Sequence, residues 1–132
     1  FINTKIIAEA PEKLLWAGIG DALSKECEVL IATEGRKLLN TPLLGRALAG
    51  ACTKPLFEYG KQALADCKNN VVSEAIQEVA LDIIMSTGIV SNLTTTENDY
   101  YYNSSLGHCF YNATPALPAP NAICTAKWFP SV

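Results

Sequence analysis

The chain has 132 residues, enough for one domain with a genuine core, because a chain of this size buries roughly two-thirds of the surface it exposes when unfolded. It is 49% apolar and only 17% charged, with a net charge of −3. This balance argues against nucleic acid as a partner, which would need a basic footprint, and no apolar run reaches the ~18 residues of a transmembrane span.

The opening FINTKIIAEA alternates too briefly to separate a short strand from an arm. It lacks the cationic start and long apolar run of a secretory leader, which suggests a mature form with its leader removed. Pro11 suits the first turn of a helix and Glu12 suits its positive end. Leu15, Ile19, Leu23, Cys27 and Leu30 then recur in steps of three and four, an amphipathic stripe that predicts a helix to about Leu39. Thr41 and Pro42 read as the cap and first position of a second helix, PLLGRALAGAC. It carries one charge, Arg46, and is expected to be central and buried. A third helix is expected from Pro55 to about Cys67. Asn70 reads as the cap of a fourth, with Val72, Ile76, Val79 and Ile83 on its inner face and Ala75, Ala80 and Ile84 widening it. Glu74, Glu78 and Asp82 form a solvated stripe, and Gly88 reads as the stop.

These elements predict a mainly α fold: a bundle or array of about four helices over residues 1–99, followed by an extended, irregular, disulfide-looped tail over 100–132. The two parts differ in character, since all 13 acidic residues lie before position 100 and the tail holds only Lys127 as a basic side chain. The tail carries seven aromatics, Tyr100, Tyr101, Tyr102, Phe110, Tyr111, Trp128 and Phe129. Such a segment should rest on an apolar surface, either its own helical body or a neighbouring copy, so these residues are the interface candidates.

Cys27, Cys52, Cys67, Cys109 and Cys124, together with the sequons at Asn92, Asn103 and Asn112, suggest an oxidising, extracellular, N-glycosylated setting. A Cys109–Cys124 bridge would close a proline-rich loop of 16 residues and stabilise it by about 3 kcal/mol. Cys52 and Cys67 would lie ~22 Å apart in one straight helix, so they pair only if the chain reverses near Pro55. Alternatively Cys27 pairs with one of them, and in every scheme one thiol is left over.

Signals for chemistry are sparse. One histidine, His108, beside Cys109 does not make a dyad by adjacency, and no C-x2-4-C pair offers zinc ligands. Ala17-Gly18-Ile19-Gly20 lacks the third glycine and the preceding strand of a nucleotide loop. No catalytic residue, cofactor or metal is therefore expected. Residues 51–85, ACTKPLFEYGKQALADCKNNVVSEAIQEVALDIIM, resemble the middle of saposin-like lipid-binding proteins, where a cysteine pair brackets a helical turn. The paired cysteines of that family at either end are missing here, so the resemblance is not an assignment. The sequence thus points to a secreted, glycosylated, non-catalytic protein with a structural or interaction role, self-associating through its tail. The alternative is a secreted helical module that binds lipid or another apolar ligand, or acts on membranes.

Overall fold

The computed structural model describes residues 1–95 and 102–113. Every regular element among them is helical: α1 (Thr4–Ala8), α2 (Glu12–Thr33), α3 (Asn40–Ala49), α4 (Lys54–Lys68), α5 (Glu74–Leu81), a π turn (Asp82–Ser86), α6 (Thr87–Leu93) and α7 (Leu106–Ala113). The mainly α expectation is met. None of these helices is long and apolar enough to cross a membrane.

Local chemistry sets most boundaries. Asn3 caps α1 by accepting from the Lys5 N–H at 3.1 Å, so the opening residues form a helix rather than a strand or arm. Helix α2 ends at Thr33, short of Leu39, because Gly35 turns into the left-handed region at φ 68°. Helix α3 starts at Asn40, and Pro42 sits harmlessly in its first turn. Asn70 does not cap a helix start. It takes φ 55° just after α4, while Val71 and Asn70 donate back to the Asp66 and Cys67 carbonyls and close the helix end. The cap of α5 is Ser73, whose hydroxyl accepts from the Ile76 N–H at 3.2 Å.

Two apolar clusters hold the helices together. The larger joins Ala8 of α1, Leu15, Ile19 and Ala22 of α2, Leu56, Ala63 and Cys67 of α4, and Ala75, Ile76 and Val79 of α5. The smaller joins Val29 of α2, Ala49 and Cys52 around the end of α3, and Val90 of α6. The rod from Glu74 to Leu93 serves both, and the π turn is what permits this. One extra residue per turn rotates the rod, so α5 faces α4 while α6 faces α3. For the same reason Gly88 is no stop: the helix runs through it to Leu93.

Several expected faces are corrected. Helix α3 is not buried all round: Pro42, Gly45 and Ala49 face inward, while Leu43, Leu44 and Leu48 are exposed. Gly45 lies so close to the end of α6 that an added Cβ would overlap Thr94. Arg46 reaches α2 instead, donating to the Leu30 carbonyl at 3.3 Å, to Thr33 Oγ and to Glu34 at 3.1 Å, which closes the C-terminal end of that helix. On α2 the apolar stripe holds for Leu15 and Ile19, but Cys27 is exposed and the polar Ser24, Lys25 and Glu28 are buried. Asp82 leaves the solvated stripe as well. It is 2% exposed and neither carboxylate oxygen accepts a hydrogen bond of good geometry.

Residues past position 99 are not uniformly extended. Tyr102 is buried on the protein's own body, with its N–H donating to the Thr94 carbonyl and the Arg36 guanidinium 6.0 Å from its ring centroid, and α7 follows as a helix. Tyr100, Tyr101, Cys124, Trp128 and Phe129 lie outside the described residues, as does the proposed loop from Cys109 to Cys124, and the side chains of Tyr111 and Asn112 are likewise outside them.

Burial pushes the Asp82 carboxyl from 3.8 up to about 6. The unfolded chain ionises first, so this side chain costs stability increasingly as pH rises from about 4 through 6. Asp82→Asn is expected to raise the unfolding free energy at pH 7.5 by about 1–2 kcal/mol and to change it little at pH 4. Urea unfolding at the two pH values measures both. Gly45→Val is expected to cost about 1–3 kcal/mol through overpacking against Thr94, read from the same curves.

Candidate functional site

The buried polar residues of α2 meet the only histidine of the chain. Asp21, Lys25 and Glu28 stand at steps of four and three, which places them on one helix face. Against that face lies the start of α7. The Glu28 carboxylate accepts from the Ser105 N–H at 2.5 Å, and Ser105 Oγ donates to the Glu28 carbonyl at 3.3 Å. Gly107 must be glycine-sized here, because a Cβ would come within 2.9 Å of Glu28 Oε1. The preceding turn is tied down too, with Asn103 Nδ2 donating to the Ser91 carbonyl at 3.1 Å.

This docking carries His108 between two carboxylates. Its Nδ1 lies 2.6 Å from Glu28 Oε1 and its Nε2 lies 3.1 Å from Asp21 Oδ1. Both ring nitrogens therefore face acceptors, which favours the doubly protonated imidazolium. The hydrogen bond to Asp21, then that to Glu28, raises the pKa of His108 from 6.5 to about 9, overcoming burial and the nearby Lys25 charge. The partners respond in kind. The His108 hydrogen bond holds Asp21 below its usual value. Burial of Glu28 works the other way but is outweighed by its bonds to His108 and Ser105, so its carboxyl is also lowered.

Lys25 completes the cluster. It is 6% exposed, and its Nζ lies 3.2 Å from the Asn103 carbonyl, 3.5 Å from Asp21 Oδ1 and 3.5 Å from His108 Nε2. Two carboxylates and two cations thus balance within one side-chain layer. Asp21 is the open edge, with its side chain 45% exposed, so a small polar molecule would meet this carboxylate first. Among the described residues no group of three or more His, Cys, Asp or Glu side chains gathers in metal-binding geometry.

The remaining sequence candidates are dispersed. Cys27, Cys52, Cys67 and Cys109 are free thiols. Cys52 and Cys67 lie in different apolar clusters and Cys27 is exposed, so the three stand apart and unbridged in this structure. Burial, then the Asp82 charge, pushes the Cys52 thiol to about 11, while Cys67 Sγ donates to the Ile7 and Ala10 carbonyls. Asn92 is exposed with Nδ2 bonded to the Gly88 carbonyl, and Asn103 is partly buried in the turn before α7. Gly18 and Gly20 lie inside α2, with Gly18 against Ile83, so their amides are spent on the helix and no nucleotide loop forms there. Sequence reasoning missed Asp21, Lys25 and Glu28. The available signal was three charges spaced along one face of α2, at odds with its apolar stripe.

Comparison with known proteins supplies what the sequence reading lacked. No family model and no solved structure matches. The chain is 32% identical over 118 residues to hydroxycarboxylate dehydrogenase A of Escherichia coli (strain K12), covering 89% of this chain and 32% of that protein. It is 39% identical over 85 residues to a glycerol dehydrogenase of Escherichia coli O6:H1, covering 59% of this chain and 22% of that protein. It is 32% identical over 93 residues to glycerol dehydrogenase 1 of Schizosaccharomyces pombe, covering 67% of this chain and 21% of that protein. The chain spans about a third or less of the length of these curated relatives. These likenesses overturn the expectation of a non-catalytic structural or interaction protein, its lipid-binding alternative, and the expectation that no enzyme is present.

The pKa of His108 fixes a stability window. Its pairing is fully present below pH 6.5 and is lost as pH rises through about 9. His108→Gln is expected to cost about 1–3 kcal/mol at pH 6 and much less at pH 10. Paired urea titrations of the parent and the variant would show the gap closing.

Proposed function

We propose that this chain carries the helical part of a dehydrogenase acting on a small polyol or hydroxycarboxylate, and that Asp21, Lys25, Glu28 and His108 form its polar working site. One observation carries the reading. The match to hydroxycarboxylate dehydrogenase A leaves at most 14 residues of the chain outside it, so the whole cluster lies within the matched stretch.

Dehydrogenation of an alcohol removes a hydride from carbon and a proton from the hydroxyl. The described residues offer no hydride acceptor and no loop suited to a dinucleotide, so they answer to the second half of the chemistry. The half-exposed Asp21 carboxylate accepts a hydrogen bond from the substrate hydroxyl. His108, once neutral, takes the proton at Nε2, with Glu28 holding Nδ1 and fixing the ring. Lys25 adds positive charge beside the developing alkoxide.

A base with a pKa of about 9 predicts alcohol oxidation that accelerates into alkaline solution. With glycerol or a small 2-hydroxy acid and an oxidised nicotinamide cofactor, kcat/KM is expected to rise through pH 9. His108→Gln should remove that limb, and Glu28→Gln should move it to lower pH by about one unit. In a protein that carries this chain and oxidises a small polyol or hydroxy acid, a folded His108→Gln variant with unchanged kcat/KM and an unchanged pH profile would falsify this reading.

A further inference from the structure

Asp21 Oδ1 and His108 Nε2 are 3.1 Å apart. Two ligands of one tetrahedral ion, each about 2.1 Å from it, lie about 3.4 Å apart, so the pair has nearly the separation of metal donors. The imidazole is also oriented as such donors are, with Nδ1 engaged by the buried Glu28 carboxylate and Nε2 facing the open side of the cluster. Yet a cation is already there. Lys25 Nζ is 3.5 Å from each of these two atoms, making a near-equilateral triangle with them, and the Asn103 carbonyl fixes it from a third direction at 3.2 Å. An ion seated on both donors on the Lys25 side would stand only ~1.7 Å from the ammonium nitrogen, well inside contact distance. Seated on the opposite side it would face that charge at ~4.5 Å. Lys25 cannot swing clear without losing its carbonyl and carboxylate partners, and it is buried at 6% exposure.

We propose that the Lys25 ammonium is the resident cation of this site, filling the position in which Asp21 and His108 would hold a divalent metal ion, so that the hydroxyl chemistry proposed above runs without one. This deepens the dehydrogenase reading and rests on it for its functional half. Its structural half stands on the triangle of atoms alone.

The experiment is a cobalt(II) titration of the metal-stripped full chain at pH 7.5, followed by visible absorption, for the parent, Lys25→Met and Lys25→Arg. The parent and Lys25→Arg are expected to take up no cobalt at the site, because each keeps a fixed cation there. Lys25→Met is expected to bind one equivalent at least about 100-fold more tightly than the parent, and adding Asp21→Asn should abolish that gain. Should Lys25→Met fail to fold, Lys25→Gln serves in its place. Stoichiometric cobalt uptake by the parent that is lost in Asp21→Asn overturns the proposal, as does a folded Lys25→Met that gains no binding. Turnover separates the two levels. Activity abolished by a chelator and restored by a divalent ion removes the Lys25 proposal and leaves the dehydrogenase reading intact. Turnover left unchanged by His108→Gln removes that reading, while the cobalt titration still decides what Lys25 does.

Discussion

The ring of His108, gripped on both sides by carboxylates of one helix, is the contact on which the working end of the molecule depends. Helix α7 is short and exposes Leu106 and Phe110, and none of its described side chains joins either buried apolar cluster. Its described hold on α2 is electrostatic and hydrogen-bonded: His108 to Asp21 and Glu28, Ser105 to both oxygen types of Glu28, and Lys25 to the turn before it. Buried charges are tolerable only when paired and bonded, and this set meets that condition with two charges of each sign. The arrangement explains why Lys25 and Glu28 are buried on a helix whose other inward residues are apolar.

Beneath this polar layer, the apolar packing positions α2. Its first half is clamped by α4 and α5 through Leu15, Ile19, Leu56 and Ile76. Its second half leans on α3 and α6 through Val29, Ala49 and Val90. The π turn at Asp82–Ser86 links the two regimes, because it re-aims the rod between them. Helix ends are secured by side chains rather than by length: Arg46 closes α2, and Thr53 Oγ donates to Glu26 at 2.5 Å at the start of α4. The result is a long, well-braced α2 that presents three charged residues at fixed spacing.

Asp82 shows the cost of that re-aiming. A residue spaced to lie on the wet side of a regular helix is turned inward toward Cys52, and its carboxylate finds no partner of good geometry. Asp21, by contrast, stays half open to water and keeps two cations beside it. The two aspartates consequently titrate in opposite directions, one raised by burial and the other lowered by its histidine.

The sequence by itself determined the helical class, the breaks near Pro42 and Pro55, the inner residues Ala75, Ile76, Val79 and Ala80, and that no described helix is long and apolar enough to cross a membrane, because these follow from local spacing and backbone preference. It misplaced Asp82 and Gly88, since a period of 3.6 cannot anticipate a π turn, and it read α3 as buried because composition does not say how many neighbours a helix finds. The charges on α2 were legible as an anomaly of its apolar stripe, but their meeting with His108 was not. Asp21 and Glu28 stand 87 and 80 positions from His108, and nothing local to either end announces the other. Only the tertiary structure decided that pairing, because the energy that holds a histidine between two carboxylates depends on distance in space and not on distance along the chain.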